Sequence, residues 1–124
     1  SHETVTQGLH FLKMEGNEVF KNAVRVMTDA VGKAIAKAGL STGDIDCIIP
    51  HQANKRIIEA VISRIGIPAE KAFVNVEKYG NMSAASAIVA LFEAVNEGRV
   101  KKGDKVLLVA FGSGFVWGSC VIEW

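Results

Sequence analysis

Ile45-Asp46-Cys47-Ile48-Ile49-Pro50 runs directly into His51-Gln52-Ala53-Asn54, and a segment with helical spacing follows from about Asn54 to Ile65. Cys47-Ile48-Ile49 is a short, unbroken apolar run, the pattern of a strand covered on both faces of its sheet. Ile57, Ile58, Val61, Ile62 and Ile65 then recur every three or four residues and mark the inner face of a helix that Gly66 and Pro68 end. A strand that passes through a short turn into an amphipathic helix is the repeating unit of α/β proteins.

The same grammar extends in both directions. Upstream, Leu9, Phe11 and their neighbours read as a strand ending at Glu15-Gly16, with Asn17 as the N-cap of a long helix. Phe20, Ala23, Val24, Met27, Ala30, Val31, Ala34, Ile35 and Ala38 form its buried stripe, and Gly39 stops it as a C′ residue would. Downstream, Phe73-Val74-Asn75-Val76 reads as a brief strand, and Ser83 as the cap of a third helix reaching about Asn96. Val106–Ala110 and Phe115–Ile122 read as two strands joined in a hairpin across Gly112-Ser113-Gly114. Strands alternating with helices give an α/β fold class with a mixed sheet.

The chain has 124 residues, 49% hydrophobic, with 14 Lys+Arg against 13 Asp+Glu. This is the make-up of one folded domain, and it excludes both a disordered tail and a strongly basic nucleic-acid binder. No apolar run approaches the roughly 20 residues of a membrane span. Ser1-His2 reads as the remnant of a cleaved tag, leaving residues 3–124 as one domain. Cys47 and Cys120 lie far apart with no CxxC, and the three histidines lack metal-ligand spacing, so reduced cytoplasmic thiols and no metal are expected. One helix stands out: Ala84, Ala85, Ala87, Ile88, Val89, Ala90, Leu91, Phe92, Ala94 and Val95 leave residues 83–96 almost without a polar face. A helix apolar all round is buried all round, so this one is expected either to pair with a second copy or to pack inside a larger layered protein.

His51 occupies the carboxyl end of a strand, the place where open α/β sheets bind ligands. Tyr79-Gly80-Asn81-Met82-Ser83 repeats the arrangement before the next helix, so His51 and Asn81 can converge on one volume. A neutral imidazole and a carboxamide each offer an N–H to a developing oxyanion. Taken singly, His51 also reads as a core or capping histidine and Asn81 as a turn residue. Ser83 and Ser86 read as a helix cap and a small packing residue rather than as nucleophiles.

Three segments together resemble the bacterial β-ketoacyl-acyl carrier protein synthase III family: Pro50-His51-Gln52-Ala53-Asn54-Lys55-Arg56-Ile57, Tyr79-Gly80-Asn81-Met82-Ser83-Ala84-Ala85-Ser86, and Ala110-Phe111-Gly112-Ser113-Gly114-Phe115-Val116-Trp117-Gly118. The resemblance runs from about Gly16 to Trp124. It implies the C-terminal half of a thiolase-like αβαβα fold, with helix 83–96 in the central layer and the N-terminal half absent. It also implies a Cys-His-Asn triad. The cysteine takes an acyl group from acyl-CoA, and malonyl-acyl carrier protein is decarboxylated to an enolate that attacks it. On this resemblance His51 and Asn81 are the His and Asn, and Ser113 supplies a backbone N–H to the acyl-enzyme oxyanion. The glycine loop of the family usually has glycine at that place, and Ser113 in a left-handed backbone there would be strained.

The resemblance further places Gly16, Asn17, Phe20, Ala53, Asn54, Ile57 and Phe111 along a pantetheine tunnel, and Lys21, Arg56 and Arg64 in a basic patch for acyl carrier protein. Phe20 and Phe111 read equally well as core, and the cations as an ordinary solvated face. No cofactor is implied beyond the phosphopantetheine that acyl-CoA and malonyl-acyl carrier protein carry. The full-length enzyme would be a homodimer. Cys47 sits inside an apolar strand and Cys120 in the last strand, and both read as small buried hydrophobes. The nucleophile is therefore expected outside this chain, which alone should not condense. Two other readings stay open: a non-catalytic module that binds acyl carrier protein or CoA, and a related polyketide starter acyltransferase.

Overall fold

Successive side chains of an extended strand point to opposite faces, and in β1 (Cys47–Pro50) every residue is buried. The computed structural model describes residues 1–11 and 13–124. β1 runs parallel to β2 (Lys105–Gly112), and β2 pairs antiparallel with β3 (Val116–Glu123), giving the order β1-β2-β3. Ile48, Leu107 and Val109 face one side, where they meet Ala23, Val24, Met27, Val31 and Ile35 of one helix and Ile58, Val61 and Ile62 of another. Cys47, Ile49 and Val106 face the other side, against Phe73, Ala90, Ala94 and Val100. The result is a sheet between helices, and each isoleucine buried in it contributes about 1.5–3 kcal/mol.

The helix ends explain themselves locally. The long helix α2 spans Gly16–Lys37, following a short α1 at His2–Thr6. Gly39 adopts φ +69° just past its end, as the stop residue. α3 (Lys55–Ile65) begins at Asn54, whose side chain accepts from Arg56 N–H, and ends at Gly66 in a left-handed conformation with φ 73°. α4 is a single turn at Val76–Tyr79 and α5 spans Ala85–Asn96. No helix among the described residues is long and apolar enough to cross a membrane.

Four local expectations need correction. Leu9 to Glu15 form no strand among the described residues, and position 12 lies outside them. The backbone closes on itself instead, with Gln7 N–H on the Glu3 carbonyl at 2.9 Å and Leu9 N–H on that of Thr4 at 2.8 Å, leaving Leu9, Phe11 and Met14 exposed. Asn17 lies inside the first turn of α2, and Glu15 holds the cap position without a side-chain bond. Phe73–Val76 forms no strand: the one isolated bridge, Ile48 to Ala72, sits at the residue before it. The Gln52 carboxamide takes the Phe73 carbonyl and the Asn75 and Val76 N–H groups that a ladder would have used. Ser83 does not cap α5, which starts at Ala85 with no side-chain cap bond; Ser83 instead adopts φ 54° in the turn before it.

α5 is covered on one side only. Ser86, Ala90 and Ala94 are buried against the sheet, whereas Ile88 and Phe92 are 64% and 65% exposed. The all-round burial expected of this helix is not met within this chain. The two faces should respond differently to truncation. Ile48→Ala, in the fully buried strand, should lower unfolding free energy by about 2–5 kcal/mol. Ile88→Ser should stay within about 0.5 kcal/mol, as an exposed site does. Urea unfolding of both variants checks this, and equal losses would contradict the one-sided packing of α5.

Candidate active site

The β1–β2 ladder carries one residue beyond β1: His51 N–H donates to the Val109 carbonyl at 2.8 Å. That bond fixes the backbone from which the imidazole projects. The ring is half-buried, and burial holds its pKa below the ordinary 6.5, so it is neutral near pH 7. Its Nδ1 lies 2.5 Å from Ser86 Oγ in the first turn of α5. Gln52 N–H donates to the same hydroxyl at 3.2 Å. His51 opens onto a cavity of about 290 Å³, mostly apolar, whose walls include Ser83, Ala87, Phe111, Gly112 and Trp117.

Gln52 is fully buried, and its carboxamide is saturated. Nε2 donates to the carbonyls of Pro50 (2.8 Å) and Phe73 (3.1 Å), and Oε1 accepts from the N–H groups of Asn75 (2.9 Å) and Val76 (3.1 Å). This amide joins the strand that carries His51 to the segment that leads to Asn81. A second hub lies just beyond. Glu93 of α5 accepts from Asn75 Nδ2 at 2.9 Å, from Lys78 Nζ at 2.6 Å and from the Tyr79 hydroxyl. Lys78, then Tyr79 and Asn75, hold the Glu93 carboxyl down to about 2.

Asn81 is exposed, and its Oδ1 accepts from Ser83 N–H at 2.9 Å. That bond engages the oxygen end of the amide and leaves the Nδ2 donors uncommitted among the described residues. Of the residues expected at the site, His51 and Phe111 line the cavity, while Asn81 and Ser113 do not. Ser113 is exposed at the hairpin tip and has no positive φ. The left-handed positions there are Gly114 (φ 77°) and Phe115 (φ 54°), so the strain expected at Ser113 falls on Phe115.

The remaining expected residues gather elsewhere, where α2 begins and α3 begins. Gly16 and Asn17 are exposed, and Phe20, Ala53 and Ile57 are half-buried. The Arg56 guanidinium sits 5.7 Å above the Phe20 ring. Asn54 Oδ1 is committed to capping α3 at 2.9 Å from Arg56 N–H. Lys21 is exposed and pairs with Glu18 at 3.4 Å, and Arg64 is exposed in the last turn of α3. Cys47 is buried, and that burial pushes its thiol up. Cys120 corrects the expectation of a buried thiol: it is exposed on β3, whose far edge has no neighbouring strand among the described residues. The sequence reading assigns Ser86 only a packing role, and Gln52 and Glu93 no role of their own. Their types are ordinary, and only the fold brings them to the His51 and Asn81 segments.

A helix-flanked mixed sheet with a histidine at a strand's carboxyl end defines an α/β protein, and similarity to solved synthase structures gives it the thiolase-like fold. The family model described as 3-oxoacyl-[acyl-carrier-protein (ACP)] synthase III C terminal matches residues 35–124, and the chain belongs to this family. It is 55% identical over its whole length to a β-ketoacyl-[acyl-carrier-protein] synthase III of Symbiobacterium thermophilum, and covers 38% of that protein. Its structure is similar to the enzyme of that name from Thermus thermophilus, with TM-score 0.88 and 54% identity over 90% of this chain and 35% of that one. The 3-oxoacyl-[acyl-carrier-protein] synthase III of Aquifex aeolicus gives TM-score 0.90 at 46% identity, over 92% of this chain and 37% of that one. The chain thus spans less than two-fifths of the length of these relatives.

The Glu93 hub has a defined pH signature. Its carboxyl ordinarily titrates at 4.5 and is held at about 2 in the fold, so the unfolded chain binds more protons between those values. The stabilisation is therefore complete above 4.5 and is lost as pH falls toward 2. Stability–pH curves of wild type and Glu93→Gln should converge as pH falls through that window. A gap that stayed constant would show that the charge on Glu93 is not what holds the α4 turn.

Proposed function

We propose that this chain is the C-terminal part of a β-ketoacyl-acyl carrier protein synthase III and supplies the histidine and asparagine of a decarboxylating Claisen condensation. The observation that carries this reading is the neutral, half-buried His51 at the mouth of an apolar cavity, its Nδ1 already committed inside the protein. A cysteine from residues outside this chain would take the acyl group from acyl-CoA. Malonyl-acyl carrier protein would then lose carbon dioxide, and the bonding pair of the broken C–C bond would pass into the thioester as an enolate. His51 Nε2–H and Asn81 Nδ2–H would donate to the thioester oxygen as its charge grows. Donors aimed at charge that develops only in the transition state lower the barrier, by about 2.7–4 kcal/mol for each one whose removal has been measured. The enolate carbon then attacks the acyl thioester, and the cysteine thiolate leaves. Phosphopantetheine arrives with the substrates, and no further cofactor takes part.

The exposed Cys120 and the buried Cys47 give this reading its test. Burial pushes the Cys47 thiol up and outweighs the lowering effect of the nearby Arg99 charge, the opposite of what generates a reactive thiolate. Intact mass after incubation with acetyl-CoA should show no acetyl adduct on the chain alone. A stoichiometric adduct on either cysteine would make the chain an acyltransferase in its own right and overturn the division of the triad.

Acyl carrier protein would dock on Lys21, Arg56 and Arg64, with Arg56 stacked on Phe20 and so held in place for an acidic partner. Steering by such charges acts on association rate and salt sensitivity. Arg56→Glu should weaken carrier-protein binding and flatten its salt dependence in surface plasmon resonance. Undiminished binding would remove Arg56 from the interface.

A further inference from the structure

The hydroxyl of Ser86 is shared between two neighbours, and its single hydrogen can serve only one of them. Gln52 N–H approaches it at 3.2 Å and can only donate, so it occupies a lone pair of Oγ. Ser86 is 0% exposed, so solvent offers its hydrogen no acceptor. Among the described residues the one remaining partner of Oγ is His51 Nδ1, at 2.5 Å. Were Nδ1 protonated and donating, Oγ would accept twice and bury its own O–H without an acceptor, a costly arrangement. The hydroxyl therefore donates to Nδ1, and the imidazole proton resides on Nε2.

We propose that Ser86 is a positioning residue that holds His51 as the Nε2–H tautomer through an O–H···Nδ1 hydrogen bond. The proposal rests on the reading of His51 as a hydrogen-bond donor to an oxygen ligand, and says which atom donates and what keeps it so. It also assigns a task to the first turn of α5. That turn carries Ser86, and its packing against the sheet sets the plane of the imidazole. The Gln52 N–H bond completes the device by occupying the lone pair that would otherwise let the hydroxyl rotate away from the ring.

The tautomer is read directly by ¹⁵N magic-angle-spinning NMR of the histidine-labelled chain, with His2→Gln and His10→Gln isolating the His51 signals. A proton on Nε2, with Nδ1 unprotonated and displaced from the free imine position by an accepted hydrogen bond, is the expected result. Ser86→Ala should move Nδ1 back to the free imine position, and Ser86→Thr, which keeps the hydroxyl, should restore the displacement. A proton on Nδ1 in the wild type would overturn the proposal, as would an Nδ1 signal that Ser86→Ala leaves unmoved. The wild-type spectrum decides even where Ser86→Ala fails to fold. The measurement needs no catalysis, so the expected tautomer in a chain that supports no condensation when built into a full-length synthase would overturn the functional reading alone.

Discussion

Four backbone groups from three places in the chain meet the side-chain amide of Gln52, and water reaches none of that side chain. Each of those groups would cost free energy if buried without a partner. An apolar side chain of the same size would fill the space and leave all four orphaned. The amide therefore dictates the course of residues 73–76, and with it the start of the turn that presents Asn81. It also ends the strand character of that segment, because it takes the groups from which a second rung would be built. The placement of the candidate site follows from this one satisfied carboxamide more than from any apolar contact.

Much of the architecture is legible in the sequence because it is written in short-range patterns. The continuous run at Cys47–Ile49 and the isoleucine spacing of α3 both appear where the residues predict them, capped by Asn54 and stopped by Gly66. Gly39 ends α2 for the same local reason. What the sequence hides is decided by long-range partners. Leu9–Glu15 has the residues of a strand, but the Leu9 and Phe11 N–H groups bond back to Thr4 and Gly8, and Leu9, Phe11 and Met14 remain exposed. Ser113 looked strained by analogy with glycine, yet the turn places its left-handed residues one and two positions later.

The candidate site divides along the same line. His51 could be found from its position after a strand, and Phe111 only from the family resemblance. Ser86 could not, because a serine on a helix of alanines reads as packing, and nothing in the spacing relates it to a histidine 35 residues earlier. Asn81 stands at the expected turn, but its side chain answers to Ser83 rather than to the cavity. Ile88 and Phe92 are exposed, and the far edge of β3 is open, because no other element among the described residues packs there.

The parallel pairing of β1 with β2 has a consequence in time. β2 and β3 are separated by three residues, whereas the 54 residues between Pro50 and Lys105 must be looped out before β1 can meet β2. Closing the longer loop costs more entropy, and non-local pairings of this kind are the slow part of forming a sheet. The hairpin with its glycine loop closes by far the shorter loop. His51 is anchored only when its N–H reaches the Val109 carbonyl on the far side of that loop. The imidazole is thus held in place by the costlier, non-local pairing and not by the hairpin.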